Sequence, residues 1–157
     1  MSRLLSQLAR ERRRSDSLGP VTALLARAYA NQGKLDEALE WSHKTILTEK
    51  LNPEYHYLHG AILHERGMIE EAAASLRRAV FLDSELAMAH FALGNLARVS
   101  GKTKESARHY RTALSILGRL PPEEPVPASD GLTAGRLTDI IVALTSKEAK
   151  HDRSRSR

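Results

Sequence analysis

At 157 residues, with 41% hydrophobic and 27% charged side chains, the chain has the length and composition of one ordinary globular domain. It has no cysteine, which excludes a disulfide framework and a thiolate zinc site, and no apolar run approaches the roughly 20 residues needed to span a bilayer. The net charge of +5 belongs to the ends: residues 1–18 carry +3 and residues 145–157 carry +3, leaving a nearly neutral body that disfavours nucleic-acid binding by the folded part.

In chain order, residues 1–18 come first. Leu4, Leu5 and Leu8 before Arg12-Arg13-Arg14 predict a short basic amphipathic helix or linker without the apolar stretch and cleavage site of a signal peptide. A cytoplasmic location is expected.

A repeat follows. Gly33, Gly67 and Gly101 are 34 residues apart, as are Glu37, Glu71 and Glu105, and as are Ala26, Gly60 and Gly94. The period divides residues 19–120 into copies at 19–52, 53–86 and 87–120. Within each copy the apolar residues recur at spacings of three and four on both sides of the glycine, which predicts two antiparallel helices. The glycine stands where the first helix must end in a left-handed residue. The small residue before it lets the paired helices approach closely. Asp36, Glu37, Glu70, Glu71 and Glu105 then fall at the positive start of the second helix.

Residues 121–132 contain four prolines and cannot continue a helix; they predict an extended strap. From 133 to 147 a further helix is expected, with Leu137, Ile140, Ile141 and Leu144 on one face and Arg136, Asp139 and Lys147 in water. Its role is to cap the bare apolar side of the last repeat. Residues 148–157 predict a disordered basic tail.

The 34-residue period and Leu93-Gly94, Tyr110, Ala113, Leu25-Ala26, Tyr29 and Ala38 resemble the tetratricopeptide repeat. The resemblance implies an all-α solenoid of three helix-turn-helix repeats plus a C-terminal capping helix. His59 where leucine is usual, Thr45 where alanine is usual, and Ser106 beside Ala107 depart from the pattern and are expected to loosen local packing. The third copy with Leu120-Pro121-Pro122 and Ser129-Asp130-Gly131-Leu132-Thr133-Ala134-Gly135-Arg136-Leu137 is similar to the C-terminal repeat region of bacterial chemoreceptor methyltransferases of the CheR type. Those enzymes methylate receptor glutamates with S-adenosylmethionine. Here no two glycines stand two residues apart, so no Gly-rich cofactor turn exists, and no alternating strand pattern is present. The resemblance therefore implies a bacterial chemotaxis setting and a regulatory, partner-binding role in signal transduction, either as an excised domain or as a stand-alone relative. It implies neither catalysis nor a cofactor.

The candidate site is the concave face made by the first helices. Spacings of three and four put Ala23, Arg27 and Ala30, Tyr57, Ala61 and His64, and Phe91, Asn95 and Arg98 on that face, with Asn31 and Glu65 at its border. The binding residues expected are Arg27, Asn31, Tyr57, His64, Phe91, Asn95 and Arg98. Asparagine recognises a peptide backbone or carboxylate, arginine pairs with an acidic group, and the aromatics give rigid apolar contact. The partner is a protein or peptide, either a chemosensory component or a methyltransferase catalytic domain. A monomer is expected, and the alternative function is a scaffold that dimerises through its repeats. His56, His59, His64 and His90 show no third ligand for a metal, so they are expected to scatter over helix surfaces.

Overall fold

The computed structural model describes residues 2–156. The side chains at positions 2 and 11–17 lie outside the described residues, and with them those of the Arg12-Arg13-Arg14 run, as does the terminal Arg157. Seven helices are described: α1 (Ser2–Asn31), α2 (Leu35–Thr48), α3 (Pro53–Glu65), α4 (Ile69–Leu82), α5 (Ala87–Val99), α6 (Thr103–Leu117) and α7 (Ala134–Arg155). They form two compact units, Met1–Leu82 and Asp83–Arg157.

In the first unit α1 pairs with α2 and α3 with α4, with α2 packed on α3; in the second α5 pairs with α6, and α7 lies on α6. The three helix pairs turn in the same way. Gly33, Gly67 and Gly101 have φ of 75°, 87° and 74°, in the left-handed region. The amides that follow, of Lys34, Met68 and Lys102, reach back to the carbonyls of Tyr29, Leu63 and Ala97 at 3.0, 2.9 and 2.8 Å. Each turn thus satisfies carbonyls that the end of the first helix leaves open.

Close packing between paired helices depends on one register. Ala26, Gly60 and Gly94 are buried on the first helices, while Ser42, Leu76 and Tyr110 occupy a shared register on the second and are fully buried. A Cβ at Gly60 would lie 2.8 Å from Leu76, and one at Gly94 would lie 2.5 Å from the Tyr110 ring. Where the first-helix residue is alanine, the second-helix residue is the small serine. Side-chain volume is balanced within each pair, as close packing requires.

The departures at Thr45 and Ser106 do not loosen the interior. Both are fully buried and hydrogen-bonded: Thr45 Oγ1 lies 2.8 Å from Thr22 Oγ1 and from the Trp41 carbonyl, and Ser106 Oγ donates to the Gly94 carbonyl at 2.9 Å. Each hydroxyl replaces methyl contact with a satisfied polar bond, which costs little when it is complete.

Both ends differ from expectation. A single helix of 30 residues runs from Ser2 through Pro20 to Asn31, in place of a separate segment ending at residue 18. The proline removes one amide donor but fits the helical φ. At the other end α7 continues to Arg155, so the helix does not stop at 147 and the basic residues 148–155 are helical.

Residues 121–132 form no extended strap. They fold back as a hairpin-like loop, with an isolated antiparallel bridge between Pro125 and Thr133. The Val126 amide donates to the Leu132 carbonyl, and those of Ala134 and Gly135 to the carbonyls of Glu124 and Pro122, each at 2.8 Å. Buried Ser129 closes the loop by donating to the Val126 carbonyl at 2.6 Å. The prolines lack amides, but their carbonyls and those of their neighbours still accept, and the loop uses them to seat α7. Thr133 caps α7 by accepting from the Arg136 amide, and Leu137 and Ile141 are fully buried.

Candidate functional site

In the second unit, three of the expected binding residues come from α5 at intervals of four and three: Phe91, Asn95 and Arg98. α6 organises them through Tyr110, which is fully buried. Its ring lies 6.1 Å from that of Phe91, and its hydroxyl donates to Asn95 Oδ1 at 2.6 Å. The buried phenol holds the amide carbonyl in place, so the Nδ2 protons of half-buried Asn95 are the part left for a ligand. One turn on, exposed Arg98 reaches a carboxylate of α7, with Nε 3.9 Å from Glu148 Oε1. The two groups are positioned to offer amide donors and a cation to an acidic, extended ligand.

In the first unit, Arg27 is exposed on α1 and Asn31 is exposed at its C-terminus; Tyr57 and His64 are half-buried on α3. Both Arg27 and Tyr57 are engaged within the protein. Ala23 is only 3% exposed and belongs to the packing instead of an open face. The first unit therefore gives a polar, exposed α1 edge and a partly covered α3 face, while the second gives a hydrogen-bonded set of side chains.

Sequence reasoning missed two partners in this set. Tyr110 reads as a packing residue of the repeat, and only the crossing of α5 and α6 aims its hydroxyl at Asn95. Glu148 falls in the segment expected to be a tail.

The histidines also need correcting. His56 and His90, expected at the surface, are buried. Their Nε2 atoms donate to the carbonyls of Lys50 and Ser84, at 2.7 and 2.8 Å, six residues upstream in both cases. Thr22, at the same repeat position, donates to the Gly19 carbonyl at 3.0 Å. In the second and third copies this position ties the first helix to the chain before it, whereas in the first copy the bond lies within α1. His59 is half-buried, with Nδ1 2.7 Å from Ser42 Oγ and its ring 6.2 Å from that of His43. Burial, and then the positive charge of His43, His56 and Arg78, lowers its pKa to about 4. Burial also lowers that of His109, with Arg108 adding to the shift and Glu105 opposing it. Among the described residues no group of three His, Asp or Glu side chains is placed to hold a metal ion.

Comparison with known proteins agrees with the repeat. The model of the tetratricopeptide repeat family matches residues 19–44 and 53–78, about a third of the chain. Comparison with curated proteins returns no match. The second such domain of Spaghetti (RPAP3), solved bound to the HSP90 peptide SRMEEVD, is similar with a TM-score of 0.63 at 18% identity, covering 68% of this chain and 98% of that one. The type III secretion translocator chaperone SycD of Yersinia enterocolitica has a TM-score of 0.72 at 15% identity, covering 85% and 90%. An O-GlcNAc transferase mutant of Thermobaculum terrenum has a TM-score of 0.63 at 25% identity, covering 68% of this chain and 20% of that one. Two copies thus match the tetratricopeptide repeat by sequence, and the three helix pairs have the helix-turn-helix fold of such repeats.

Proposed function

We propose that the chain is a protein-interaction module that grips an acidic peptide against α5, through Asn95 and Arg98. One observation carries this reading: Tyr110 fixes Asn95 one turn from an exposed arginine that already approaches a carboxylate. The peptide bound by the similar Spaghetti domain contains two glutamates and ends in aspartate, a chemistry that this pair of side chains would suit. The finer setting is the regulatory, partner-binding region of a chemoreceptor methyltransferase, supported by the resemblance of the stretch Ser129 to Leu137 and of the third repeat. The partner in that setting is a chemosensory component or the methyltransferase catalytic domain.

The test uses a fluorescein-labelled SRMEEVD peptide as probe, with anisotropy read on the wild type and on an Asn95→Ala/Arg98→Ala variant. Loss of a bidentate-capable cation and an amide donor is expected to weaken binding at least tenfold, with helicity by circular dichroism unchanged. Equal affinity would overturn the assignment to α5. The setting is tested by capture with both proteins as bait: retention of a chemoreceptor or methyltransferase domain by the wild type alone supports it, and retention of neither removes it.

A further inference from the structure

Residues 3–10 of α1 run Arg-Leu-Leu-Ser-Gln-Leu-Ala-Arg, and helical register places Leu4, Leu5, Leu8 and Ala9 on one side and Arg3, Ser6, Gln7 and Arg10 on the other. The repeat packing leaves this segment uncovered. Leu4, Leu5 and Leu8 are 68%, 67% and 55% exposed. On the polar side Arg3, Ser6, Gln7 and Arg10 are all exposed, a row of donors suited to phosphate oxygens. In sequence, five arginines stand against Glu11 and Asp16 over the first 18 residues.

We propose that this N-terminal part of α1 is an interfacial anchor that lies on an anionic phospholipid surface. The leucines enter the boundary between headgroups and acyl chains, and the arginines meet the phosphates. The placement of charge selects this occupant. The arginines and the leucines lie on opposite sides of one helix. A nucleic acid would neutralise the first and leave the second wet. A partner helix docked on the leucines would not reach Arg3 and Arg10. A lipid interface surrounds the helix, and long arginine stems bend along it to the headgroup plane, so both sides are satisfied at once. No helix among the described residues is long and apolar enough to cross a membrane, so the contact is with the surface.

The experiment is flotation of the full chain with phosphatidylcholine vesicles, with and without about a third phosphatidylserine, at about 0.05 and 0.3 M salt. Partition is expected only with the anionic vesicles, and the higher salt should weaken it severalfold. Leu4→Ser/Leu8→Ser and Arg3→Glu/Arg10→Glu should each lower it about tenfold or more, with the melting curve unchanged. A Leu5→Trp probe in a Trp41→Phe background should show blue-shifted emission on anionic vesicles alone, and this readout decides if a double variant misfolds. Absence of partition, absence of the blue shift, or unchanged partition of the leucine variant would each overturn the proposal. So would tighter retention by an oligonucleotide or an acidic peptide than by the vesicles.

Discussion

At the scale of single residues, the contact between Gly94 and Tyr110 joins stability to the proposed binding site. A methyl at position 94 would overlap a ring that is fully buried and that donates to Asn95. Gly94→Ala gains helix propensity of about 1 kcal/mol but meets overpacking of up to about 3 kcal/mol, so a net loss of about 2 kcal/mol is expected in denaturant unfolding. Peptide affinity should fall as well, because the displaced phenol no longer holds the amide. His59 makes a second residue-scale prediction. Its folded pKa of about 4 lies below the unfolded value of 6.5, so the native state binds fewer protons between the two. Stability is fully present above pH 6.5 and is lost as pH falls toward 4, by about 2 kcal/mol once the half-exposed ring is discounted for solvent screening. His59→Leu should flatten the unfolding free energy measured across that window. Ser42 would keep its bond to the Leu39 carbonyl, at 3.1 Å.

At the scale of elements, the turn glycines, the helix pairs and the final helix were all legible in the sequence, because a period of 34 and spacings of three and four are direct consequences of helical geometry. The ends of the elements were less so. Residues 148–155 carry no apolar stripe, yet they continue α7 because a helix already nucleated and seated by Leu137 and Ile141 propagates at little cost. That extension brings Glu148 to Arg98. Glu148→Gln removes an internal competitor for the cation and should raise affinity for the acidic probe severalfold by anisotropy, in a salt-sensitive way. An unchanged affinity would mean that Arg98 takes no part in the ligand contact. The loop at 121–132 shows the same limit: four prolines announce the end of α6, but the carbonyls that turn the loop back toward α7 leave no pattern in the sequence.

At the scale of the molecule, burial is uneven. The second helices of the repeats hold the fully buried Ala38, Leu76, Ala79, Tyr110 and Ala113, while residues 3–10 are exposed along their length. Native-state hydrogen exchange should therefore be slowest in α2, α4 and α6 and fastest in residues 3–10, since local opening there uncovers almost no apolar surface. Comparable protection at both places would contradict this hierarchy. The sequence by itself determined the all-helical class, the three-copy register, the closing glycines and the small residues at Ala26, Gly60 and Gly94, because each rests on local geometry repeated at a fixed interval. It also placed Phe91, Asn95 and Arg98 on one side of a helix. Only the tertiary structure decided that Tyr110 holds Asn95, that Glu148 approaches Arg98, and that His56 and His90 turn inward to backbone carbonyls. These depend on which side chains of separate helices meet, and periodicity along one helix carries no information about that.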